Sequence, residues 1–151
     1  MNALETERLA ELIDRKHVCL TELHEVGRRQ LELARDGKMT ALLDLLIIKQ
    51  QLIDLLRDIE RELNPFRSQD ANSRQWKTEA HRQRCAGRIE ECEALLSEII
   101  RQEKAGEMEL IKRRDETAVM LEGANRAGKA RWEYAAGERQ QSGQLDLASE
   151  T

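Results

Sequence analysis

The sequence predicts an all-α protein: an antiparallel bundle of three long, coiled-coil-like helices, with a long third helix and a flexible C-terminal tail. Three observations carry this. In residues 41–63, ALLDLLIIKQQLIDLLRDIEREL, the apolar positions Leu42, Leu45, Leu52, Leu56, Ile59 and Leu63 fall on steps of three and four, and only Lys49 breaks the seam. That spacing belongs to a helix packed along its length against other helices. Charged residues make up 36% of the 151-residue chain, aromatics 3%, and there is one proline, which is the composition of long charge-rich helices. Finally, Asp36-Gly37 separates the first two periodic segments by so short a connection that they must be antiparallel neighbours, an αα-hairpin.

Taken in order, the first helix covers about 4–35, with Leu9, Leu12, Ile13, Leu20, Leu23, Leu31 and Ala34 on one face. The second covers 39–64. Leu43, Leu46, Ile47, Ile48, Ile53 and Leu55 widen its apolar surface beyond a seam, so it is expected to be the central helix, with more than one neighbour. Asn64-Pro65 is expected to stop it, because proline disfavours a helical residue before it. In the connector 66–77, Asp70 suits the cap of a short helical turn, and Phe66 and Trp76 are expected to cover the open end of the hairpin.

Thr78 is a good N-cap for the third helix, expected over 78–121. Cys85, Ile89, Cys92, Leu96 and Ile99 repeat by four and three, and after Gly106 the seam shifts to Ile111, Arg114, Ala118 and Leu121. A helix unbroken over this span is about 66 Å long at ~1.5 Å per residue. That exceeds the first hairpin, so its far end is expected to project or to bend near Gly106. Residues 1–121 therefore read as the bundle domain. Residues 122–151, punctuated by Gly123, Gly128, Gly137 and Gly143, read as a marginally helical to disordered tail, because each helical glycine costs about 1 kcal/mol relative to alanine.

The formal net charge of -4 lacks the basic footprint of a nucleic-acid binder. The longest apolar run, 45–48, is bounded by Asp44 and Lys49 and is far too short for a membrane span. Three cysteines without close pairing fit a reducing compartment. His81, Cys85 and Cys92 fit one helix face, but their spacing is not that of a zinc site and no second cluster completes four ligands. Adjacent acids such as Glu90-Glu91 and Asp115-Glu116 suggest no cleft, and phosphate-loop, dinucleotide and nucleophile-elbow patterns do not occur. No catalytic residue, metal or cofactor is assigned. The basic residues Arg67, Arg74, Lys77, Arg82, Arg84 and Arg88 face only Asp70 and Glu79 in this stretch, and offer either a solvated face or a surface for an acidic partner such as an export component.

The order of four segments, RDGKMTALLDLL, LLIIKQQLIDLL, LNPFR and TEAHRQRC, followed by a long third helix, resembles the FlgN-like family of flagellar type III export chaperones over residues 4 to about 134. The resemblance implies a cytoplasmic, non-enzymatic chaperone that holds the helical ends of hook-filament junction proteins before export. It places the docking surface in the C-terminal part, on Leu110, Ile111, Ala118, Leu121, Trp132 and Tyr134. The glycine-punctuated tail departs from a continuous amphipathic helix. An alternative reading is a structural coiled coil or adaptor that self-associates as a homodimer through the same stripe.

Overall fold

The computed structural model describes the backbone of residues 2–150 and the side chains of residues 2–138. Three long helices, α1 (Ala3–Arg35), α2 (Met39–Arg67) and α3 (Glu79–Glu150), follow one another, with a single 3-10 turn, Ala71–Ser73, before the third. The chain divides into two compact units, Met1–Glu109 and Leu110–Thr151. The first unit holds α1, α2, the connector and the start of α3.

Local chemistry sets the helix ends. The Asn2 side chain accepts from the Glu5 N–H at 2.9 Å and caps α1. At its other end Gly37 takes φ 69°, a left-handed conformation that glycine adopts without a Cβ clash. The Gly37 N–H then donates to Ala34 O at 3.2 Å and the Lys38 N–H to Leu33 O at 3.0 Å, the paired bonds of a Schellman motif. The Asp70 side chain caps the 3-10 turn at the Asn72 N–H, 3.0 Å away. Thr78 Oγ1 accepts from the His81 N–H at 3.0 Å and opens α3.

Interhelical contacts fix the topology of the first unit. Arg8 meets Glu62, Lys16 meets Glu60 and Cys19 meets the Leu52 carbonyl, while Gln30 meets Lys49. The numbers run in opposite senses, so α1 and α2 are antiparallel. Asp14 meets Arg88, His17 meets Glu91, His24 meets Glu98, and the His24 carbonyl meets Gln102. These numbers rise together, so α1 and the start of α3 are parallel, in up-down-up order.

The helix at the centre is α1, not α2. Ten α1 residues are buried, from Thr6 to Ala34, against four in α2: Leu42, Leu45, Ile59 and Leu63. Leu52 and Leu56 are only half-buried against the core, and Leu43, Leu46, Ile47, Ile48 and Leu55 are exposed. Apolar abundance misled here, because centrality depends on where side chains point. The apolar residues of α1 face both neighbours, whereas α2 spreads its own around the helix and buries only the side turned to α1. The core joins Leu9, Leu12, Ile13, Cys19, Leu20 and Leu23 to Ile59 and Leu63 and to Cys85 and Cys92. Gly27 leaves room for the amide end of the Gln102 side chain from α3, which a Cβ there would meet.

Two helices run past their expected ends. Helix α2 continues through Pro65 to Arg67. Proline in a last turn forfeits only one internal hydrogen bond, and Ser68 Oγ donates to the Pro65 carbonyl at 3.0 Å. Phe66 therefore projects from α2 itself, and both it and Trp76 pack partly buried against the core.

In the second unit the backbone stays helical beyond Leu121, to Glu150. Alanines at 124, 127, 130, 135 and 136 and the Glu122–Arg126 pair at 2.6 Å offset the helix cost of the glycines. The expected mobility beyond about residue 137 falls on residues 139–151, whose side chains lie outside the described ones.

Candidate helix-binding face

The second unit is a single helix, so its side chains have no second element within the unit to pack on. Leu110, Ile111, Ala118, Leu121, Trp132 and Tyr134 are all exposed, with Leu121 at 60% and Trp132 at 72%. At about 100° per residue, Leu110, Leu121 and Trp132 drift by only ~20° per eleven-residue step, and Ala118 and Ile111 lie beside them within an arc of about 100°. Five of the six sequence-derived positions thus share one face. Tyr134 falls on about the opposite side of the helix, away from Trp132. Arg114 lies within the arc and reaches sideways to Asp115 at 3.5 Å, as a long basic side chain does on an apolar stripe.

The other sequence-derived candidates lie in the first unit. Cys85 and Cys92 are buried in the core, as is Cys19. Desolvation raises the pKa of each thiol above its ordinary value; Glu22 adds to this at Cys19 and Asp14 at Cys85, while Lys16 partly opposes it at Cys92. The Cys19 thiol donates to Leu52 O at 3.3 Å. These are small apolar groups with a weak donor, not nucleophiles. His81 packs edge-on against Trp76, ring centroids 5.3 Å apart. Among the described residues no group of three or more His, Cys, Asp or Glu is placed to hold a metal ion, and no helix is long and apolar enough to cross a membrane.

The basic connector is largely neutralised from within. Arg67 pairs with Glu60, Lys77 with Glu7 and Arg82 with Glu79. Arg88 pairs with Asp14 at 3.6 Å and with Glu91 at 2.9 Å, and Arg74 donates to the Phe66 carbonyl at 3.0 Å. Of the acids that answer these bases, Glu7 and Asp14 come from α1, and Glu60 and Glu91 lie on the bases' own helices but outside residues 66–88.

Sequence reasoning missed two polar arrangements. His17 and His24, one heptad apart on α1, face Glu91 and Glu98, one heptad apart on α3, at 2.8 and 2.9 Å. The matched seven-residue spacings were the available signal. Lys49, the break in the α2 seam, joins Gln30 of α1 at 3.0 Å and Glu103 of α3. It forms a polar layer shared by all three helices, a device that fixes register in helical bundles.

Another half-buried centre is Glu60, held by Lys16 at 2.8 Å and by Arg67. Burial alone would raise its carboxyl, but the hydrogen bonds from Lys16 and Arg67 outweigh this and hold it below the ordinary carboxylate value. A depressed folded pKa contributes stability above the unfolded value of about 4.3, and that contribution fades as pH falls through the folded value. Glu60→Gln is therefore expected to destabilise the protein at neutral pH, by an amount that shrinks on acidification below about pH 4. Urea unfolding of both proteins from pH 3 to 7 checks this; a difference that stays constant with pH contradicts it.

No family model, curated protein or solved structure matches the chain.

Proposed function

We propose that the protein is a non-enzymatic helix-binding chaperone of the flagellar type III export kind. It would hold the amphipathic helical ends of hook-filament junction proteins in the cytoplasm until their export. The observation that carries this reading is the exposed stripe Leu110, Ile111, Ala118, Leu121 and Trp132 on one face of a single helix. Soluble chains rarely leave large contiguous apolar surface uncovered, and an amphipathic partner helix buries such a stripe through contacts three and four residues apart. The resemblance of residues 4–134 to the FlgN-like family supplies the class of partner. The second reading, a self-associating coiled coil, is favoured by the seven- and eleven-residue steps of the stripe.

Replacing Ile111 and Leu121 together by Asp separates the two. The core residues of the first unit are untouched, so the melting temperature is expected to stay within a few degrees of wild type. The chaperone reading expects a folded variant that no longer binds a hook-filament junction protein in light scattering. The coiled-coil reading expects the wild-type protein alone to be a dimer and the variant a monomer. Undiminished binding of the junction protein by the folded variant overturns the assignment of the face.

A further inference from the structure

A second surface, in the first unit, carries an inference that does not rest on that stripe. A groove of about 630 Å³ runs over the outward side of α1, walled by Leu55 and Ile59 of α2 and by His81 of α3. Its apolar ground is Val18, 57% exposed, with Ala10 beside it, and Leu55 is 42% exposed. Along α1 the groove is edged by Glu7, Glu11, Asp14 and Glu22. With Val18 these sit at steps of four, three, four and four, which places them on one stripe about 22 Å long.

Carboxylates outnumber cations in the lining of this groove. Four carboxylates stand against one guanidinium, Arg15, and Arg15 is itself turned to Glu62 of α2 at 3.5 Å. Three of the carboxylates have exposed or half-exposed partners of their own: Glu7 with Lys77, Glu11 with Arg8 at 3.3 Å and Asp14 with Arg88 at 3.6 Å. Pairs of this kind contribute little and exchange readily. Glu22 has no ion pair among the described residues. An apolar floor bordered by carboxylates at helical spacing repels acidic segments and anionic surfaces. It matches a helix with a short apolar face flanked by Lys or Arg.

We propose that the outward face of α1, between Leu55 of α2 and His81 of α3, is a docking groove for a basic amphipathic helix of a partner protein. The partner's apolar residues cover Val18 and Leu55, and its cations pair with Glu7, Glu11, Asp14 and Glu22. Acidic residues along the partner's flanks would place like charges opposite one another, so the rim selects by charge while the floor supplies contact area.

The test is a nuclear magnetic resonance titration of the full chain with a synthetic helical peptide bearing leucines on one face and lysines on both flanks. A peptide with glutamates in place of the lysines is the control. Saturable shifts centred on Val18, Leu55 and Ile59 are expected with the lysine peptide alone. Glu11→Lys with Glu22→Lys is expected to weaken that binding about tenfold or more, because each reversal turns an attraction into a repulsion. Circular dichroism of this variant is expected to match wild type, since both positions are on the solvent side. Ile111→Asp with Leu121→Asp is expected to leave this binding unchanged, which separates the groove from the stripe. Equal binding of both peptides, shifts confined to residues 110–138, or no saturable shift up to millimolar peptide overturns the proposal. The same shifts on concentrating the protein alone overturn it in favour of a second copy of the chain.

Discussion

Replacing Leu20 by alanine is expected to lower the unfolding free energy by about 2–5 kcal/mol, the range for deleting a large aliphatic side chain from a packed core. Leu20 is 0% exposed and sits mid-way along α1, where that helix meets both neighbours. Leu23 and Ile59 lie in the same cluster, with Ile53, Leu56, Leu95 and Ile99 packed against it. Few of these can move into the vacated volume without losing contacts of their own, so relaxation recovers little. Leu52→Ala on α2 is the matched comparison. Its side chain is half-buried, and the area it withdraws from water is correspondingly smaller, so roughly half the cost is expected. Chemical denaturation of both variants decides which helix is central. A Leu52→Ala cost equal to that of Leu20→Ala places α2 in the middle and overturns the ranking.

The fold class, the hairpin turn and the two N-terminal caps of the connector were legible because each rests on local chemistry. Asp36-Gly37 needs one left-handed residue, and Asp70 and Thr78 need only an N–H two or three residues ahead. What was not legible depends on direction in space. The seam of residues 42–63 was read correctly as helical, yet its wealth of leucine and isoleucine suggested a central helix, while the structure leaves Leu43 and Ile47 exposed at 61% and 62%. A count of apolar residues carries no information about which of them share a neighbour. The end of the third helix was missed for another reason. Glycine spacing signals weak helix propensity, but propensity is a sum, and alanine and the Glu122–Arg126 pair count on the other side. Of the six candidate binding positions, which the resemblance places in the C-terminal part, helical periodicity puts five on one arc and Tyr134 on about the opposite side.

The polar residues of the core follow the same division. Lys49 looked like a flaw in the seam because its partners, Gln30 and Glu103, lie 19 and 54 residues away. The basic run 67–88 looked like an open patch because Glu7 and Asp14 answer it from α1, and Glu60 from two turns back along α2. Complementary charges distant in sequence are invisible to a window. They are also what makes the three helices choose one register over others that bury the same leucines.

A buried hydroxyl, that of Thr6, ties the connector to α1, and its removal carries the second large expected effect. Thr6, in the second turn of α1, is 0% exposed. Its Oγ1 donates to the Gln75 carbonyl at 2.6 Å, across 69 residues of sequence, and lies 2.9 Å from the Ala3 carbonyl. The one hydroxyl hydrogen serves one acceptor at a time, and the shorter bond is the one to Gln75. Thr6→Val keeps shape and volume but takes away the donor. It leaves the part-buried Gln75 carbonyl facing a methyl group, and the loss of such a hydrogen bond costs about 0.5–1.5 kcal/mol. Because Gln75 precedes Trp76, which packs on the core, the loss is expected to loosen that ring as well and to shift the partly buried tryptophan's emission to the red. Thr21→Val is the control, since Thr21 Oγ1 makes only an exposed bond to the His17 carbonyl within α1, at 2.8 Å, and its loss leaves that carbonyl within reach of water. Denaturant unfolding followed by tryptophan emission reads both effects. A Thr6→Val variant no less stable than Thr21→Val, with its emission unmoved, means that the connector is held by the packing of Phe66 and Trp76 and not by this bond.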